Sequence, residues 1–80
     1  MQTLFIQVKC ELGKSYEVAA AAAETVDEVS EVHSTSGHYD LMLTCYLENG
    51  VDIGHFVNQK IHALPGVKDT YTIIGLKAFS

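Results

Sequence analysis

Arginine and tryptophan are missing from this sequence: all five basic residues are lysines, set against ten Asp and Glu, for a formal net charge of −5. Arginine is the side chain best suited to bidentate phosphate and guanine contacts. A net-negative chain also repels a polyanion and forgoes the counterion release that drives nucleic-acid binding. Direct contact with DNA or RNA is therefore not the expected role. Cysteine is scarce, only Cys10 and Cys45. Two thiols this far apart make no disulfide framework and point to reduced side chains in a cytoplasmic protein. Long apolar runs are absent too; none approaches the ~20 residues of a membrane helix. Met1 to Val8 alternates, which is not the basic and then apolar pattern of a signal peptide.

What is present is one apolar domain's worth of chain. Hydrophobic residues make up 48% of the 80 and charged ones 19%, too apolar a mixture for a disordered tail. A domain of this size buries only about 60% of the surface its unfolded chain exposes, so an oligomer interface would add to a narrow margin.

Leu4, Ile6, Val8 and Cys10 alternate with Phe5, Gln7 and Lys9, the pattern of a half-buried strand. Gly13 interrupts it, and Ser15 is the expected N-cap of a helix over Tyr16–Val26 with Glu17 in its first turn. Five consecutive alanines make that helix smooth enough to lie close to a sheet. A polar, broken alternation over Glu28–Ser36 predicts a strand with a bulge. Ser36-Gly37-His38-Tyr39-Asp40 supplies a turn. Leu41, Leu43, Cys45 and Leu47 then resume strict alternation. Asn49 is the expected cap of a second helix, with Asp52 three residues on. Its apolar stripe is Ile53, Phe56, Val57, Ile61 and Leu64, and Pro65-Gly66 stops it. Val67–Leu76, rich in Thr, Tyr and Ile, closes the chain as a strand.

The order strand, helix, strand, strand, helix, strand is that of an α+β, ferredoxin-like βαββαβ sandwich. Both helices cover one sheet face. The other face still carries Phe5, Met42, Tyr46, Tyr71 and Ile73, and an apolar uncovered face predicts a partner, most simply a second copy about a two-fold axis.

The chemical motifs are weaker. Gly13-Lys14-Ser15 looks like the end of a phosphate loop, but the glycine required five residues earlier is Val8. His33, His38, His55 and His62 show no metal-ligand spacing, with neither HExxH nor CxxC. No nucleophile with a base, and no carboxylate pair, rises above background. Neither a metal nor a cofactor is called for. The constellation that stands out is Gly37 beside Asp40, followed later by Thr70-x-Thr72. A glycine permits close backbone approach. An aspartate beside it can accept from backbone amides or from a ligand's ammonium. Asp40 reads equally well as a turn-stabilising residue.

Phe5–Val8, Val29-x-Glu31-Val32-His33, Gly37-x-x-Asp40-Leu41 and His62-Ala63-Leu64-Pro65-Gly66-Val67 leading to Thr70-x-Thr72, in this spacing, resemble the effector-sensing (RAM) domain of the Lrp/AsnC transcription regulators. The resemblance covers essentially all 80 residues. It implies a dimeric α/β barrel with facing sheets, assembled further into tetramers or octamers. It also implies an amino acid or related small molecule bound between dimers. Carried over, it names Gly37, His38, Tyr39 and Asp40 as ligand-binding, with Thr70 and Thr72 behind them. Family members carry an N-terminal helix-turn-helix domain, whereas this chain opens at the sensing domain. The expectation is thus a single stand-alone domain over residues 1–80 that acts on transcription through partner subunits, full-length family regulators among them, without catalysis. Two other readings share the fold. A small dimeric monooxygenase would want a cavity lined by His, Asn or Trp. An ACT-type regulatory domain would place its ligand glycine after the first strand, at Gly13.

Overall fold

The computed structural model describes residues 1–79. Strand β1 (Gln2–Cys10) leads through a glycine turn into helix α1 (Ser15–Thr25), and β2 (Val29–Ser34) and β3 (Leu41–Leu47) form a hairpin. Helix α2 (Ile53–Phe56) runs directly into a π-helical turn (Val57–Ile61), and β4 (Val67–Gly75) completes one antiparallel sheet in the order β2-β3-β1-β4. This is the ferredoxin-like α+β fold expected from the element order.

The alternation in β1 and β3 explains why the sheet has an inside. Leu4, Ile6 and Val8 on β1, and Leu41, Leu43, Cys45 and Leu47 on β3, are all essentially inaccessible to solvent. Ile6 lies opposite Leu43 and Leu4 opposite Cys45, so the two central strands present one continuous apolar layer. Val18 and Ala22 of α1 and Phe56, Val57, Ile61 and Leu64 of the second helical segment complete the core. Full burial of each Leu or Ile contributes about 1.5–3 kcal/mol relative to exposure. The apolar stripe foreseen for the second helix is thus the buried one. The alanines of α1 let that helix close on the sheet with only two residues fully buried.

Several boundaries differ from the sequence reading. Ser15 is the first helical residue and not the cap; Lys14 occupies the cap position, with no side-chain bond. Asn49 does not cap the second helix. Asp52 does, its Oδ1 accepting from the His55 amide at 2.9 Å, because Asn49-Gly50 is spent on the preceding turn. The second strand is shorter than Glu28–Ser36, since Glu28 turns out to meet Lys60 and Thr35 turns in to close the loop. The bulge expected there is present between Val29 and Glu31. Helical bonding ends at Ile61, ahead of Pro65, in the π turn closed by the His62 amide on the Val57 carbonyl.

The opposite sheet face has no helix over it. Thr3, Phe5, Gln7 and Lys9 point that way from β1, and Tyr71 and Ile73 join them from β4. Tyr46, Tyr71 and Ile73 remain 43%, 56% and 40% exposed.

Candidate functional site

The site is assembled where β1 ends, β3 begins and β4 begins. Val8 opposite Leu41 is the last β1–β3 pair. One residue earlier on the β3 side, the Asp40 amide still donates to the Val8 carbonyl at 2.9 Å. Beyond it the chain leaves the ladder, and the Asp40 carboxylate takes over the role of a strand carbonyl: Oδ2 accepts from the Cys10 amide at 2.7 Å. A half-buried, charge-assisted bond of that length is among the stronger ones in a fold of this kind. Oδ1 accepts no hydrogen bond among the described residues.

The turn itself is tied at several points. Gly37 adopts φ +108°, a conformation that a side chain would strain. The Thr35 amide donates to the Asp40 carbonyl at 2.9 Å, and the Thr35 hydroxyl donates to the Tyr39 carbonyl at 3.0 Å. The Lys9 ammonium donates to the His38 carbonyl at 3.0 Å. The Tyr39 ring lies 6.4 Å from that of Tyr71.

Asp40 lines a cavity of about 380 Å³ together with Lys9, Cys10, Glu11, Leu12, Gly13, Ser15 and Lys68. Two acidic and two basic residues therefore line it. The Cys10 thiol at its edge is pushed up by burial, against the lowering effect of the Ser15 hydroxyl and with a smaller rise from the Asp40 charge. Cys45, deep in the core, is pushed up to about 11 by burial and by the charge of Glu28. Neither thiol is a ready nucleophile at neutral pH. Among the described residues no cluster of His, Cys, Asp and Glu has the makings of a metal site.

Of the residues singled out in the sequence, Asp40 lines this cavity. Gly37, His38 and Tyr39 shape the turn without bordering the cavity. Thr70 belongs to a neighbouring hollow with His62, Val67, Lys68 and Asp69. There the His62 ring bridges Thr70 Oγ1 through Nε2 at 2.7 Å and Asn58 Oδ1 through Nδ1 at 3.1 Å, tying the π-helical turn to β4. Thr72, opposite Ile6, is half-buried on the helix side of the sheet and joins neither hollow. Gly13 and Gly37, the glycines that distinguish two readings by sequence, part here: Gly13 borders the cavity with Asp40, and Gly37 does not. The residues missed were Lys9, Glu11, Ser15 and Lys68. Each is an unremarkable polar residue in its own segment, and only the sheet order brings Lys68 to Asp40.

The Lrp/AsnC ligand binding domain matches residues 3–80, and the chain belongs to that family. It is 38% identical over 73 residues to the HTH-type transcriptional regulator FL11 of Pyrococcus horikoshii, covering 91% of this chain and 47% of that protein. The chain thus spans about half the length of the curated relatives it matches. Among solved structures, FFRP-DM1 superposes with a TM-score of 0.86 at 30% identity, over 95% of this chain and 100% of that one. The transcriptional regulator NMB0573 of Neisseria meningitidis, solved as an L-Met complex, shares the fold with a TM-score of 0.82 at 24% identity. That match covers 99% of this chain and 52% of the regulator.

Proposed function

We propose that this chain is an amino-acid-sensing and oligomerisation module of Lrp/AsnC type, acting in the cytoplasm on transcription through partner subunits and without catalysis. The observation that carries the reading is the half-buried Asp40 with one oxygen committed to Cys10 and the other unbonded among the described residues, at a cavity that Lys68 also borders. An α-amino acid carries an ammonium and a carboxylate a few ångströms apart. Asp40 Oδ1 takes the ammonium and the Lys68 ammonium takes the carboxylate, while Ser15 offers a hydroxyl. The volume falls within the range of small-molecule sites. The L-Met bound to the Neisseria regulator is a ligand of this chemical class.

The open sheet face is the dimer surface in this reading: an apolar face of this kind is covered by a second copy about a two-fold axis, with tetramers or octamers built from such dimers. The test is a thermal-shift screen against the twenty protein amino acids. A ligand at a hundred times its dissociation constant adds about 2.7 kcal/mol. For a domain this small, that is a rise in Tm of roughly 10 °C or more. A flat response to all twenty would overturn amino-acid sensing.

A further inference from the structure

Tyr39 and Asp40 are consecutive residues that make two different contacts at the sheet's end. The Asp40 carboxylate reaches the Cys10 amide at the cavity. The Tyr39 ring instead packs on Tyr71 with its plane tilted by 33°. Tyr71 lies opposite Gln7 and therefore on the open face, where it is 56% exposed. One peptide unit separates the two contacts. The turn that carries them has a second anchor from the open face, the Lys9 ammonium on the His38 carbonyl. Its other end is Gly37, at φ +108°, where an added Cβ would meet nothing within 4 Å.

We propose that Tyr71 is a positioning residue for Asp40, so that the turn couples the open sheet face to the cavity. This rests on the cavity at Asp40 being the ligand site. Held against Tyr71, the Tyr39 ring adds to the Thr35 and Val8 bonds of the peptide that presents Asp40 to Cys10. A second copy seated on the open face covers Tyr71 and biases that arrangement. An ammonium drawn to Asp40 biases it from the other side, and by linkage the two effects are reciprocal. The coupling element is a short turn held by Tyr71 and Lys9 on the open face and by the Cys10 amide at the cavity, and not a path through the core.

The test needs no amino acid. Amide hydrogen exchange at Cys10 reports how firmly Asp40 is held. Tyr71→Ala is expected to speed exchange at Cys10 by roughly three- to tenfold, the population change matching the strength of an aromatic pair. The Ile6 and Leu43 amides, in the middle of the sheet, are expected to keep their wild-type rates. Tyr71→Phe, which keeps the ring, is expected to restore Cys10. Ile73→Ala, on the same strand and face but away from Tyr39, is expected to leave Cys10 unchanged; it separates the ring contact from loss of assembly. Tyr39→Ala, in the loop, carries the test should Tyr71→Ala not fold. Unchanged exchange at Cys10 in Tyr71→Ala, uniform acceleration across the sheet, or an equal effect from Ile73→Ala would each overturn the proposal. An amino-acid screen without a hit would overturn the ligand reading while leaving the exchange result intact, so the two failures are distinguishable.

Discussion

Replacing Asp40 by Asn separates the two jobs of one carboxylate. In the folded chain Oδ2 is committed to the Cys10 amide at 2.7 Å, and Oδ1 is unbonded among the described residues. An amide side chain offers one acceptor and one donor group. The Cys10 group at this contact is its N–H, a donor, so the Asn oxygen is drawn to it and the NH2 is left facing the cavity. That donor cannot accept from an ammonium. The ligand loses a charge-assisted bond, which costs about 1.5–3 kcal/mol, or roughly 10- to 150-fold in affinity. Folding loses less, since a neutral acceptor still satisfies Cys10 at about half the strength, a cost of about 0.5–1 kcal/mol. The assay is a calorimetric titration of Asp40→Asn with whichever amino acid the screen identifies, beside its melting curve. Unchanged affinity together with a lowered Tm would refute the reasoning and leave Asp40 as a turn residue alone.

Gly66→Ala should destabilise more than Gly37→Ala, although both glycines have positive φ, +96° and +108°. At Gly66 a Cβ would come within 3.0 Å of Val18 Cγ2 and 3.1 Å of Lys14 Cβ, whereas at Gly37 it meets nothing within 4 Å. Urea melts should show about 1–2 kcal/mol lost at Gly37 from backbone strain and a clearly larger loss at Gly66; equal losses would contradict the close packing of that loop on α1. Lys60 holds the Glu28 carboxyl below its ordinary value through a bond at 2.9 Å. A depressed carboxylate stabilises above its unfolded value and loses that contribution as pH falls through the folded one. Glu28→Gln should therefore lower Tm slightly at pH 7, by a few tenths of a kcal/mol for so exposed a pair, and make no difference near pH 3. Sedimentation at micromolar protein should show a dimer or larger, and a monomer there would count against the role given to the open face. No salt-sensitive shift of duplex DNA is expected at physiological salt, given a net charge of −5 without arginine; a clear shift at micromolar protein would reverse that conclusion.

The parts of this fold that were legible in the sequence are those where one face is buried against one period. Strands β1 and β3 alternate strictly because each inward residue meets the helices, and Ile53, Phe56, Val57, Ile61 and Leu64 follow a helical stripe for the same reason. Cap positions were harder to read. Ser15 and Asn49 are good capping residues, but Lys14 and Asp52 stand where the turns actually end. The π-helical turn left no trace, because nothing in Val57-Asn58-Gln59-Lys60-Ile61 distinguishes a bond four residues back from one five residues back. At the site, Asp40 was visible through its turn, and its unequal use of two oxygens was not. Its companions come from β1, the loop after it and β4, segments brought together by sheet order alone. Thr70 was named as a ligand contact; its hydroxyl is engaged by His62, a pairing across eight residues that no periodicity announces.

The sheet order also leaves β4 as an outer strand with its far side unpaired. Tyr71-Thr72-Ile73-Ile74 is β-prone, uncharged and free of proline, the composition that lets strands of different molecules add to one another into aggregates. Lys68-Asp69 on one flank and Lys77 on the other are the only charges near it in sequence. They act as gatekeepers, since stacking copies in register would bring like charges together at every layer. Neutralising Lys68 and Lys77 would therefore first be felt as poor solubility at high protein concentration, well before any loss of fold.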